Sequence, residues 1–278
     1  MMISRRRLMA GGAALATACA AGPLVARPGK ARPIGLQLYT VRAMFEPDPM
    51  GTLEKVAAVG YREVEYGGGG YDKMDHAALR KTMDRLGLVS PSIHIGYEAL
   101  SADFDGSVRM ARTLGADTVV VPYMGEAYRT ADRWKKAVAD FNRHAERLQR
   151  AGVGFAYHNH DFEFTVKPGG VSLFDMLVAG SDPALVKIEL DLFWAIAAGE
   201  DPKAVIARLP GRIYAYHVKD RTADGEMTSV GKGVVDFADI FTLNDTAGVK
   251  HLYVENDKSP APYLPDITTS FQTLRRLR

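Results

Sequence analysis

The sequence predicts a parallel (β/α)8 TIM barrel, a single α/β domain over residues 34–278. Eight short apolar runs of β type recur along the chain, and each is followed by a segment whose apolar residues have helical spacing. One residue per strand end, taken as Gln37, Glu65, His94, Pro122, His158, Asp191, His217 and Glu255, gives separations of 28, 29, 28, 36, 33, 26 and 38 residues. Each separation is long enough for one βα unit. The open doubly wound alternative would show a Gly-x-Gly-x-x-Gly turn after an early strand, and the sequence has none.

Taken in order, Arg27 to Pro33 is rich in Pro, Lys and Arg, has no apolar period and reads as a linker. Ile34 to Tyr39 is the first strand, with Gln37 and Tyr39 on one face. Phe45-Glu-Pro-Asp-Pro49 is expected to be a loop that proline keeps out of helix, and a helix through Leu53, Val56, Ala57 and Val59 stops at Gly60. Arg62 to Tyr66 is the second strand. It runs into Gly67–Gly70, a flexible turn that lacks the Lys-Ser/Thr of a phosphate-binding P-loop. Strand three, Ser92 to Ile95, lies between helices over 77–86 and 104–114. Thr118-Val-Val-Val-Pro122 is strand four, a continuous apolar run of the kind buried on both faces. A long amphipathic helix over 130–151 leads to strand five, Gly154-Phe-Ala-Tyr-His158. Strands six, seven and eight then deliver Asp191, His217 and Glu255, separated by helices over 173–178, 202–209 and 237–241, and residues 265–277 form the last helix.

Residues 1–26 stand apart. An opening Ser4-Arg-Arg-Arg-Leu-Met9, a mildly apolar alanine-rich run and then small residues form a twin-arginine export signal; the apolar run is too short and glycine-interrupted for a membrane span. Cleavage near Ala20 or Ala26 fits, and the expected location is the periplasm. Cys19 is the only cysteine, and Ala16 three residues before it is too small for a lipoprotein signal. A cleaved protein therefore has no disulfide, thiolate ligand or cysteine nucleophile. Loss of residues 1–26 removes three arginines and no acid, so the formal net charge goes from +2 to −1. A near-neutral body gives no electrostatic case for nucleic acid or an anionic membrane.

Polar residues at the strand ends of a barrel project into one mouth. Four adjacent strands ending in His158, Asp191, His217 and Glu255 make a mixed nitrogen and oxygen ligand set. It suits one divalent ion, Mn²⁺ first, with Zn²⁺, Co²⁺ or Fe²⁺ also compatible, over Ca²⁺ or Mg²⁺. A single buried histidine is ordinarily a hydrogen-bonded core residue; it is the joint occurrence on four neighbouring strands that points to a metal. Such an ion would polarise a carbonyl while a nearby base takes the adjacent C–H proton. Glu255, His160 and Lys219 are the candidate catalytic groups. His94, Glu65, Trp194 and Gln37 are the candidate substrate contacts. Glu189, on the face of Asp191, reads as a buried layer residue paired inside the barrel, and Lys219 could simply neutralise Asp191 or Glu189.

The segments Ile34-Gly-Leu-Gln-Leu-Tyr-Thr-Val-Arg42, Tyr157-His-Asn-His-Asp-Phe-Glu-Phe164, Glu189-Leu-Asp-Leu-Phe-Trp194, His217-Val-Lys-Asp220 and Val230-Gly-Lys-Gly-Val-Val-Asp-Phe237 resemble the sugar phosphate isomerase/epimerase family of xylose isomerase-like TIM barrels. The resemblance covers essentially all of the chain after the export segment and implies the fold and a divalent metal. In the ketose 3-epimerases of that superfamily the ligands are Glu, Asp, His and Glu on strands five to eight. Asp191, His217 and Glu255 match the last three, but His158 stands at the strand-five position, so only Glu255 remains of the epimerases' two-sided glutamate pair, with His160 or Glu163 as possible substitutes. Trp194 stands where those enzymes carry a histidine, and could stack on a sugar face. The histidine-rich strand five is similar to that of the inosose dehydratases and of barrels acting on 3-keto sugars.

The resemblance implies an isomerase or epimerase acting next to a carbonyl of a carbohydrate. A keto-sugar lyase or dehydratase, inosose dehydratase-like or cleaving a 3-keto glycoside, is the competing reading. A non-catalytic periplasmic sugar-binding barrel is a third. The carbohydrate is expected to be unphosphorylated, because sugar phosphates are scarce outside the cytoplasm and the one basic glycine-rich loop near the mouth, Gly231-Lys-Gly233, offers a dianion little beyond Lys232. That loop reads as a mobile lid.

Overall fold

The computed structural model describes residues 32–277. Residues 1–26, expected to be an export signal and including Cys19, lie outside the described residues, as does most of the 27–33 linker. Eight strands, β1 (Ile34–Gln37), β2 (Glu63–Glu65), β3 (Ser92–His94), β4 (Thr118–Val121), β5 (Gly154–His158), β6 (Val186–Asp191), β7 (Ile213–Val218) and β8 (His251–Val254), form one parallel sheet. Their order is β2-β1-β8-β7-β6-β5-β4-β3, and the ring closes between β2 and β3 through two isolated bridges, Glu63 with Val89 and Tyr66 with Ile93. One principal helix follows each strand: α1 (Pro49–Val59), α2 (His76–Leu86), α3 (Phe104–Leu114), α4 (Ala131–Arg150), α5 (Leu173–Gly180), α6 (Pro202–Ala207), α7 (Phe237–Phe241) and α8 (Leu264–Leu277). This is the expected (β/α)8 barrel.

The strands are buried on both faces, which is why β4 reads as a continuous apolar run with no polar alternation. A large apolar core lies between sheet and helices, and a small second cluster of Val120, Ala156, Tyr214, Ala215 and Tyr253 fills the barrel interior. Gly35 makes room for that filling: a Cβ there would lie 2.4 Å from the Tyr253 ring.

Two local features differ from expectation. Pro49 begins α1 instead of holding the chain out of helix, with Asp48 accepting from Gly51 N at 3.0 Å; proline's fixed φ and missing N–H suit the first helical position. The loop after β7 folds on itself as a hairpin pairing Asp220–Arg221 with Met227–Thr228, whose arms are too short to leave a period in sequence. Its glycine-rich half is tied down, because the buried Asp220 carboxylate accepts from Gly231 N, Gly233 N and Val235 N at 2.8, 3.0 and 3.2 Å. That anchorage distinguishes it from a free lid.

Candidate active site

The strand ends meet at the mouth in two tiers. The deeper tier joins Glu65, Glu189 and His94. His94 Nε2 lies 3.1 Å from Glu65 Oε2 and 2.8 Å from Glu189 Oε2. Gln37 donates to Glu65 Oε2 at 2.8 Å, and Ser92 donates to the other oxygen. Glu189 is thus the buried layer residue the sequence suggested. Burial pulls the His94 imidazole down, but Glu65 and Glu189 more than offset it and hold His94 at about 9. Glu65 is pushed up by burial and by Glu189, yet His94 and His217 bring it below its ordinary value.

The upper tier is His158, Asp191, His217 and Glu255, the four residues named from sequence as ligands. All four are buried, and one donor atom from each lies within 4.8 Å of the others. His217 links the tiers: its Nδ1 is 2.6 Å from Glu255 Oε2, and its Nε2 is 2.8 Å from Glu65 and 3.0 Å from Glu189. Carboxylates behind the far nitrogen orient an imidazole for metal binding. Asp191 Oδ1 caps the following helical turn by accepting from Trp194 N at 2.9 Å, while Oδ2 faces the Lys219 ammonium at 3.0 Å. His158 Nδ1 has no hydrogen-bond partner. Burial first, then the His217, His160 and Lys219 charges, hold the His158 imidazole far below its usual range, so it is neutral, the form that binds metals. Burial pulls the His217 imidazole down, but Glu189 and Glu255 raise it well above its usual range, so it gives up a proton on binding an ion. With that proton gone, two imidazoles and two carboxylates fit one divalent ion of the kind that takes mixed nitrogen and oxygen ligands. A second group, His94, His158, Glu189 and His217, has the same compactness and includes the unpartnered Glu189 Oε1, but its Glu189 Oε2 and His94 Nε2 already pair at 2.8 Å.

Lys219 is buried among carboxylates, 3.0 Å from Asp191 Oδ2, 2.8 Å from Glu255 Oε2 and 3.0 Å from both oxygens of Asp257. Burial alone would discharge the ammonium; these three acids hold its pKa well above the usual lysine range. It neutralises Asp191, as the sequence allowed, but not Glu189. Glu255 is raised by burial but brought far below its ordinary value by Lys219 and His217. Asp257 is pushed up to about 6 by burial and the Glu255 charge, with Lys219 opposing.

Above the tiers opens a cavity of about 870 Å³. Of the residues named from sequence, His158, His160 and Glu255 line it and His94 reaches it from the deeper tier; Gln37, Glu65, Asp191, Trp194, His217 and Lys219 do not line it. Trp194 backs His160, ring centroids 5.5 Å apart. Burial and the Lys219 charge lower His160 to about 3 and keep it neutral. Glu163 is turned away from the cavity, accepting from Tyr157 OH at 2.6 Å and His160 N at 2.7 Å. Burial raises it to about 8 despite those bonds. Sequence reasoning missed Asp257, Tyr39 and Tyr123 on the wall. For Asp257 a signal existed: it lies two residues beyond Glu255, the same-side spacing of an extended chain.

A parallel barrel with a buried cluster of His, Asp and Glu side chains at its C-terminal mouth defines the class, a TIM barrel with a candidate metal centre beside its cavity. The chain belongs to the xylose isomerase-like TIM barrel family, whose model matches residues 53–275. It is similar to the inosose dehydratase of Clostridium beijerinckii, 24% identical over 252 residues, which span 75% of this chain and 82% of that protein. Among solved structures, a sugar phosphate isomerase/epimerase from Parabacteroides distasonis superposes with a TM-score of 0.75 at 24% identity, covering 88% of this chain and 94% of that one. The IolI protein with a bound zinc atom superposes with a TM-score of 0.68 at 17% identity, covering 88% and 97%.

Proposed function

We propose that this protein is a divalent-metal-dependent carbohydrate enzyme that removes the proton next to the ketone of a keto-sugar and then eliminates the β-substituent, as a dehydratase or lyase. One observation carries the choice. The carboxylates on the cavity wall at the metal end, Glu255 and Asp257, both come from the end of β8, whereas the wall at the end of β5 offers the imidazoles of His158 and His160. Epimerisation by two bases needs proton removal and return on opposite faces, and elimination needs one basic face. The similarity to inosose dehydratases supports the same reading.

The ion held by His158, Asp191, His217 and Glu255 would supply Lewis-acid polarisation of the substrate carbonyl. Glu255, kept ionised by Lys219 and His217, accepts the proton from carbon. The C–H electron pair becomes the new double bond and the β C–O bond breaks. Asp257 gives the departing oxygen its proton, with Lys219 balancing charge between the two acids. His160, neutral on the opposite wall, bonds a substrate hydroxyl and is kept in place by Glu163 and Trp194.

The isomerase or epimerase reading retains the support of the family resemblance. Incubation with candidate keto-sugars in D₂O separates the two: elimination releases water or a glycosyl group, while epimerisation puts deuterium on carbon with no such loss. Deuterium incorporation with inversion and no released group would overturn the elimination reading, and a sugar-binding barrel without catalysis would give neither. We further propose that the enzyme acts in the periplasm on an unphosphorylated sugar. Support comes from the opening arginines and from Asp220, which occupies the amides that a phosphate would seek in the loop after β7. Cell fractionation tests the location, and a kcat/KM favouring a sugar phosphate over its free sugar would overturn the substrate form.

A further inference from the structure

We propose that the cavity has a second lobe, beyond the metal centre, that binds another hydroxylated ring joined glycosidically to the sugar undergoing reaction. The proposal rests on the reading above that the metal end takes a sugar. The cavity of about 870 Å³ runs from His158 and Glu255 at one end to Asp103, Arg109, Met110 and Thr113 on α3 and the turn before it. A volume of that size suits ligands much larger than one sugar ring. The far wall mixes Asp72 and Asp103 with Arg109 and with the apolar faces of Tyr71 and Met110. Acceptors and a donor beside apolar faces match a neutral polyol ring, while the opposed charges create no field for a phosphate.

Two aromatic rings stand on the cavity wall beside the metal end. Tyr39 and Tyr123 line the cavity, and both are exposed large hydrophobic residues. Each is held in place. A Cβ at Gly68 would lie 2.5 Å from the Tyr39 ring, whose other neighbour is the Arg42 guanidinium 3.9 Å from the ring centroid. Tyr123 sits edge-on to His160 at 5.2 Å, and Arg129 donates to its hydroxyl at 2.5 Å. Fixed amphipathic rings lose little entropy when the C–H face of a sugar stacks on them.

Gly96 supplies the test. It lines the cavity between His94 and the helix Tyr97–Ala102, has φ −58° and ψ 146°, and a Cβ there would meet nothing within 4 Å. A large side chain at 96 therefore enters the lobe without backbone strain. Calorimetric binding of glucose, maltose, cellobiose and trehalose is compared in the wild type, Gly96→Phe and Gly96→Ala, with full-length metal-loaded protein. The expected result is at least one disaccharide binding about tenfold or more tighter than glucose, a preference kept in Gly96→Ala and reduced to about one in Gly96→Phe. Glucose binding with no disaccharide preference, or a preference that survives Gly96→Phe, overturns the second lobe and leaves the sugar site standing. Failure of all four sugars to bind counts against the sugar site and the lobe together.

Discussion

Lys219 and Glu255 form a buried ion pair of 2.8 Å at the floor of the mouth, and the same ammonium lies 3.0 Å from Asp191. The lysine thus sits on two of the four residues that fit a divalent ion, so ammonium and ion draw on the same negative charge.

Lys219→Ala is therefore expected to keep metal content, or raise affinity, while lowering kcat by roughly 10²-fold or more, because the acid–base pair of Asp257 and Glu255 loses the cation that balances its charge. Metal analysis beside turnover checks this. Loss of the ion in the variant would instead make Lys219 a residue that positions the ligands.

His217→Ala should abolish ion binding and destabilise the fold. It leaves Glu65, Glu189 and Glu255, now within 2.6–3.0 Å of the imidazole, without a shared partner. Stranding buried charge in this way costs about 3–5 kcal/mol. Metal titration and denaturant melts read the two effects separately.

Stability should fall on the alkaline side. His94 has a folded-state pKa of about 9 against an ordinary 6.5. The stabilisation carried by its charged form is fully present below 6.5 and lost as pH rises through 9, an effect on the order of 3 kcal/mol. Melting temperatures between pH 6.5 and 9.5 should decline more in the wild type than in His94→Gln.

Gly35→Ala should cost about 1–3 kcal/mol through overpacking, because its methyl would press on the Tyr253 ring at 2.4 Å. Adding Tyr253→Leu should recover part of the loss, a coupling that a double-mutant cycle measures.

Asp220→Ala should lower the melting temperature by leaving three loop amides without their acceptor, at about 1–3 kcal/mol for a buried unsatisfied group. Lys232→Ala, on the same loop, should change neither stability nor kcat/KM.

The barrel was legible because its period is written into the covalent chain: buried parallel strands and helices alternate at nearly constant spacing. The upper tier was legible for the same reason, since His158, Asp191, His217 and Glu255 sit at or next to the ends of neighbouring strands, and neighbouring strands must bring them together. The deeper tier was less legible. The contact of Glu65 with His217 spans 152 residues and depends on how the sheet curls across its interior, so Glu65 reads as a substrate contact until the curl is known. Tyr123 was invisible because it lies in a loop that carries no period, and Arg109, Met110 and Thr113 because the period of a helix does not say which of its residues reach a cavity. Pro49 misled because proline marks a helix start as readily as a break.

The closure of the barrel has one consequence of its own. β2 and β3 are stitched by two isolated bridges, with Val64 N to Val89 O at 2.9 Å and His94 N to Tyr66 O at 2.8 Å among the bonds across the gap. The loops leaving those same two strands carry Tyr71, Asp72 and Gly96 to the cavity wall. A molecule spanning them acts as a rivet over the least-fastened join in the staves. Its arrival would be felt below as slower hydrogen exchange at the amides of Val64 and His94, a report on occupancy that needs no turnover at all.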